Sequence, residues 1–102
     1  MATYQALEAE IIRWAEARKI IPNSTPHAQL LKALSEMGEL ADATLKDQKD
    51  EIVDAIGDVM VCLINYCALK DINLVDCMEI AYDQIKHRKG TLMASGVFVK
   101  EE

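Results

Sequence analysis

Glu51, Asp54 and Asp58 recur at spacings of three and four residues inside an otherwise apolar run, Glu51-Ile52-Val53-Asp54-Ala55-Ile56-Gly57-Asp58-Val59-Met60-Val61-Cys62-Leu63-Ile64-Asn65-Tyr66-Cys67-Ala68-Leu69. At about 100° per residue, a helix places those three carboxylates on one narrow edge. Ile52, Val53, Ile56, Val59, Met60, Leu63, Ile64 and Cys67 then point in nearly every other direction. A helix apolar almost all round is a buried helix. Carboxylates on its edge repel one another and lose hydration, at roughly several kcal/mol for each unpaired ion. They need a counter-charge, and no Lys or Arg lies between Asp50 and Leu69. A divalent cation meets that need. Oxygen-only ligands select hard cations, Mg2+ first and Mn2+ as its substitute, whereas zinc favours the His and Cys that this cluster lacks.

A second acidic pair, Glu36 and Glu39, stands three residues apart in the preceding segment. Alone, such a pair is most often a solvated helix face. The polar connector Lys46-Asp47-Gln48-Lys49-Asp50 changes the weighting, because so short a link folds two helices into antiparallel neighbours. Glu36 and Glu39 are thereby brought beside Glu51, Asp54 and Asp58, and five carboxylates can serve one metal cluster.

The elements that must hold these residues are helices. The chain has 102 residues, 51% of them hydrophobic, with four Gly and two Pro, a composition that favours an all-α protein of one domain. Residues 4–19 predict a first helix capped by Thr3, with Leu7, Ile11, Trp14 and Arg18 on one face. Pro22, Asn23 and Ser24 break the pattern. Thr25 followed by Pro26 is a helix start, and the second helix runs to about Lys46, with Leu30, Leu34, Met37, Ala41 and Leu45 expected inside and Glu36 and Glu39 on the opposite side. The third helix is the apolar run itself. A fourth, capped by Asn73, extends from about Leu74 to Arg88 with Cys77, Met78, Ala81 and Ile85 inward, and Gly90 stops it. Residues 1–90 thus make a helical domain, and 91–102, with Val97-Phe98-Val99, a C-terminal extended arm or disordered tail.

Several function classes are disfavoured. A net charge of −6 argues against nucleic acid as the main partner. The N-terminus lacks a basic-then-apolar signal pattern and the stretch 59–69 is too short to span a bilayer, so the expected location is cytoplasmic and no membrane partner is expected. Cys62, Cys67 and Cys77 lack a paired spacing and read as reduced core residues. No Gly-x-x-x-x-Gly-Lys loop is present.

Ser35-Glu36-Met37-Gly38-Glu39-Leu40-Ala41 followed by Asp50-Glu51-Ile52-Val53-Asp54-Ala55-Ile56-Gly57-Asp58-Val59 resembles the paired acidic motifs of the MazG nucleoside triphosphate pyrophosphohydrolases, in the all-α superfamily that includes the dimeric dUTPases. Trp14-Ala15-Glu16-Ala17-Arg18 and Lys86-His87-Arg88-Lys89-Gly90 resemble flanks of short, single-domain members, phage-encoded ones included. The family pattern is Glu-Glu-x-x-Glu, a spacer, then Glu-x-x-Asp. Ser35 stands where the first Glu of the pair usually is, and the second motif has two registers, Glu51 with Asp54 or Asp54 with Asp58.

The resemblance implies a four-helix MazG-like fold and Mg2+-dependent cleavage of the α–β linkage of a nucleoside or deoxynucleoside triphosphate, giving a monophosphate and pyrophosphate. Glu36, Glu39, Glu51, Asp54 and Asp58 would hold the metals, and Glu36 or Glu39 would serve as general base. Trp14 reads either as a base-stacking or as a core residue, and Asn65 either as a base-recognising or as an internally bonded amide. Lys32, Lys86 and Arg88 read either as phosphate contacts or as solvated basic residues. Four short helices leave the third incompletely covered, so a homodimer or homotetramer is expected. Because Ser35 departs from the pattern, the alternative is a catalytically weakened nucleotide- or cation-binding interaction protein of the same fold.

Overall fold

The computed structural model describes residues 2–101, in the order α1 (Tyr4–Ala17), α2 (Pro26–Leu45), α3 (Lys49–Leu69), α4 (Leu74–Ile85), β1 (Gly90–Leu92) and β2 (Phe98–Lys100). The fold is all-α with one small hairpin. Two helix starts follow from their threonines: Thr3 and Thr25 sit in extended backbone, and their hydroxyls accept the N–H groups of Ala6 and Ala28, each at 3.1 Å. Pro26 occupies the first turn of α2, where its missing N–H costs nothing. Between α2 and α3 only Lys46, Asp47 and Gln48 intervene, and Asp47 takes the left-handed conformation that reverses the chain.

The start of α4 is built differently from the expectation. Asn73 holds the cap position without a side-chain bond to the backbone; its amide donates to Asp76 Oδ2 at 3.4 Å. The helix-end N–H of the partly buried Leu74 donates instead to the buried Glu8 carboxylate of α1, at 2.7 Å. A residue 66 positions away thus does the capping and ties the two ends of the helical region together.

Gly90 does not stop α4, which already ends at Ile85. Gly90 opens β1, pairs with Lys100, and lies under the Phe98 ring, where an added Cβ would come within 2.6 Å of Phe98 and 2.3 Å of the Val99 carbonyl. The expected arm or tail is therefore an antiparallel hairpin, Thr91 opposite Val99 and Leu92 opposite Phe98.

α3 is the hub. α2 packs on α3 alone, α1 packs on α3 and α4, and neither strand packs on any helix. The α2–α3 contact buries small residues, Ala33 and Ala43 on one side, Ala55 and Cys62 on the other, which lets the two helix axes approach closely.

The expected inner stripes are not inside. Leu30, Leu34, Met37 and Leu45 are 43 to 86% exposed, Ala41 is exposed, and α4 has no buried residue at all, Cys77, Met78, Ala81 and Ile85 included. The physical reason is that α2 has one neighbour and turns its alanine-and-glutamate side toward it, leaving the leucine side without a partner in the chain. Cys62 and Cys67 are buried and Cys77 is exposed, correcting the reading of all three as core. α3 is also long and apolar enough, by length and composition, to cross a membrane, a property that counting only residues 59–69 missed. Only 28% of that apolar stretch is buried, and Val53 and Ile56 stand 63 and 49% exposed, so the expected burial almost all round is not met, because α1, α2 and α4 leave part of α3 uncovered within one chain.

Candidate active site

The antiparallel α2–α3 pair sets its acids along one seam. Ala55 and Ala43 allow close approach, and at the open end of the seam Glu39, Asp42 and Lys46 of α2 face Glu51, Asp54 and Ala55 of α3 across a cleft of ≈ 350 Å³. Three of the five expected metal ligands share this cleft.

One turn deeper on α2, Glu36 is buried, only 6% exposed. Its Oε1 accepts from Lys32 Nζ at 3.1 Å, and its Oε2 has no hydrogen-bond partner. A buried, unpartnered carboxylate oxygen is costly unless a proton or a cation completes it. Both electrostatic neighbours bear on it. The neighbouring Glu39 carboxyl first, and then Lys32, hold Glu36 below the usual carboxylate range. Glu36 in turn pushes Glu39 up, with burial and the Asp58 charge adding to the rise. Burial first, then Asp54 and Glu36, raise Asp58. The field of Glu36 reaches Cys62, whose thiol is raised by burial and by that charge. Glu36, Glu39, Asp54 and Asp58 therefore form one electrostatic unit, with Lys32 as the cation beside it. The sequence pattern, restricted to α3, did not foresee a counter-charge from α2.

Among the described residues, no three His, Cys, Asp or Glu side chains converge into a finished metal cage. The carboxylates line the seam rather than meet at a point. The donor set nevertheless fits a hard cation: oxygen only, one oxygen buried and unsatisfied, and two acids raised, Glu39 by its neighbour Glu36 and Asp58 by burial. Ser35, at the usual position of a further Glu, is exposed.

The other expected contacts are scattered. Lys32 is committed to Glu36. Asn65 is 3% exposed and its Oδ1 has no partner, so the internally bonded reading is not realised for that oxygen. Trp14 is half-exposed, with the Arg18 guanidinium 6.0 Å from its ring centre, and is not a core residue; α1, which carries it, does not pack on α2. Lys86 pairs with Asp83 at 3.1 Å, and Arg88 lines a separate cleft with Gln84, His87, Lys89, Lys100 and Glu101. Within the chain neither joins the seam. Asp42 and Lys46 were missed, although Asp42 follows Glu39 by three residues and Lys46 follows Asp42 by four, on the same face.

The MazG nucleotide pyrophosphohydrolase domain family matches residues 24–93, a span that contains the whole seam. An uncharacterized 18.2 kDa protein from the rep-hol intergenic region of Haemophilus phage HP1 is 41% identical over 64 residues, 63% of this chain and 39% of that protein. The matched segment is thus less than half of the phage protein. The cyanophage S-2L MazG-like pyrophosphohydrolase, solved with dGDP and three catalytic Mn2+ ions per active site, has a TM-score of 0.73 over 100% of both chains at 20% identity, a likeness of fold.

Proposed function

The chain belongs to the MazG nucleotide pyrophosphohydrolase family, and from that premise we propose that it hydrolyses nucleoside or deoxynucleoside triphosphates at the α–β linkage, using Mg2+ with Mn2+ as a substitute. The observation that carries this reading is the buried Glu36 carboxylate, with its unpartnered Oε2, set beside the raised Glu39. The dGDP and Mn2+ ions of the cyanophage neighbour support a nucleotide and divalent cations as ligands.

Glu36, Glu39, Glu51, Asp54 and Asp58 would hold the metals. Bound there, they would neutralise the triphosphate, polarise the α-phosphate and lower the pKa of water. The chain's own residues do the rest. A water oxygen bonds to the α-phosphorus, the bond to the bridging oxygen breaks, and pyrophosphate leaves with that electron pair. The water proton passes to Glu36 or Glu39, whose opposed shifts make one of them the ready acceptor. Lys32 holds Glu36 in place, and Lys46 at the cleft rim offers a cation to the departing phosphates. Asn65, with an acceptor oxygen awaiting an N–H, is assigned to base recognition, and Trp14, Lys86 and Arg88 to substrate contacts that require a second chain.

That second chain is part of the proposal. The chain exposes 7969 Å², against roughly 5,800 Å² expected from size for a folded monomer. Its radius of gyration is 16.1 Å, where about 13 Å is usual at this length. The excess, on the order of 2,000 Å² per chain, is what an obligate dimer interface buries. Release of pyrophosphate from a panel of NTPs and dNTPs with Mg2+ tests the activity. Turnover of at least one substrate that ceases with chelator is expected. Nucleotide binding without turnover would favour a catalytically weakened binding protein, the reading to which Ser35 points.

A further inference from the structure

Charge divides this chain at the end of α4. Residues 1–85 hold seven Lys and Arg against fifteen Asp and Glu, a balance of −8. Residues 86–102 hold four against two, a balance of +2. The positive part is the hairpin and its stem, where His87, Arg88, Lys89 and Lys100 surround a cleft of ≈ 450 Å³.

The hairpin packs on none of the four helices. It closes on itself through the strand pairs, through Glu101 N–H donating to the Lys89 carbonyl at 2.8 Å, and through Gly96 at φ +90 in the turn. Leu92, Val97, Phe98 and Val99 stay half or more exposed on it. A lone two-stranded hairpin is marginal in water, and a basic one with an apolar surface calls for an acidic partner that also has apolar surface. The far end of α2–α3 has that character. From Asp42 to Asp54 it carries Asp42, Asp47, Asp50, Glu51 and Asp54 against Lys46 and Lys49, a balance of −3, and it exposes Leu45 at 86% and Val53 at 63%. Within one chain the two surfaces do not meet, because neither strand of the hairpin packs on α2 or α3.

We infer that the C-terminal hairpin is an assembly arm that docks on the acidic α2–α3 end of a second copy of this chain, its valines and Phe98 against the partner's exposed Leu45 and Val53 and its basic residues against the partner's acids. The inference rests on the homo-oligomer proposed above and goes beyond it by naming the contact. It also brings Arg88, Lys89 and Lys100 toward the cleft that Glu51 and Asp54 line, where cations belong if a triphosphate enters.

The test uses the full chain. Equal amounts of 15N-labelled and unlabelled protein are mixed, treated with a zero-length carbodiimide cross-linker and digested, so that chain-to-chain links are identified by mass. Mixed-label peptides joining Lys86, Lys89 or Lys100 to acids within residues 42–54 are expected. Sedimentation is then compared for wild type, for K89E/K100E and for F98S, which leaves the charges intact. Each variant is expected to weaken association about tenfold or more, more at low salt for the charge reversal, with helical circular dichroism unchanged because the hairpin packs on no helix. A monomeric wild type would overturn both the oligomer and the arm. A wild-type oligomer whose arm links only within its own chain, or variants that associate as wild type does, would overturn the arm alone. So would an arm that instead carries the protein onto vesicles of anionic lipid while leaving its association unchanged.

Discussion

The α2–α3 seam and the C-terminal hairpin are opposite solutions to the same shortage of core. The seam gathers negative charge between helices that touch through alanines, and of the two lysines beside it Lys32 is committed to Glu36 while Lys46 lines the cleft. The hairpin gathers positive charge on strands that pack on none of the helices. In the seam, electrostatic cost is accepted where chemistry needs it, and a ligand is left to offset it. In the hairpin, apolar and basic surface is left for another chain. On the proposed function and the proposed arm, a cation completes the seam and a second copy of the chain completes the hairpin.

The largest expected effect would come from breaking the seam at its buried member. Glu36→Gln keeps the shape but removes the charge that Lys32 pairs with and that the proposed metals would share, and turnover should fall by ~10²-fold or more with helicity intact. An active Glu36→Gln would make the buried carboxylate a structural feature. A smaller effect should separate the two chain ends: Glu8→Ala leaves the Leu74 N–H without its acceptor, and urea unfolding should lose about 1–3 kcal/mol, whereas cleavage per folded molecule stays the same. No loss of stability would mean that water replaces the Glu8 bond at no cost.

Asp58 sharpens the contrast through pH. Its folded value is raised, above all by burial, so the stability it contributes is present below the ordinary value of 3.8 and is lost as pH rises through the folded value. Cation-free Asp58→Asn should therefore match wild type near pH 3 and exceed it at neutral pH. Mg2+ should raise the melting temperature of wild type more than that of the variant. A variant less stable at neutral pH would identify Asp58 as a hydrogen-bond acceptor. The smallest effect is in thiol reactivity: burial pushes Cys67 up to about 11, so alkylation near pH 8 should modify the exposed Cys77 first, as peptide mass mapping would record. Equal rates would contradict the burial of Cys67.

What was legible in the sequence was local. Thr3, Thr25 and Pro26 announced two helix starts, and the short polar link after α2 announced the antiparallel pair that aligns Glu36 and Glu39 with Glu51, Asp54 and Asp58. Which face of α2 turns inward was not legible. Leu30, Leu34 and Met37 form the more apolar stripe, yet α3 meets the Ala33–Glu36–Ala43 side, because the stripe's partner is absent from the chain. Glu8 was invisible for a different reason: its bond spans 66 positions, and no local pattern encodes it. Gly90 looked like a helix stop, but its smallness serves the Phe98 ring that closes over it.

The central claim is that the acids of α2 and α3 are one site, and a double-mutant cycle on turnover tests it most directly. Glu39→Gln and Asp54→Asn lie on different helices, share the cleft, and each removes a single charge at nearly constant size. Each alone should lower pyrophosphate release by ~10²-fold or more, and the pair together should be little worse than the poorer single variant, because a disabled unit has little left to lose. Effects that multiply, or a silent Glu39→Gln, would mean that the two helices carry separate acidic faces.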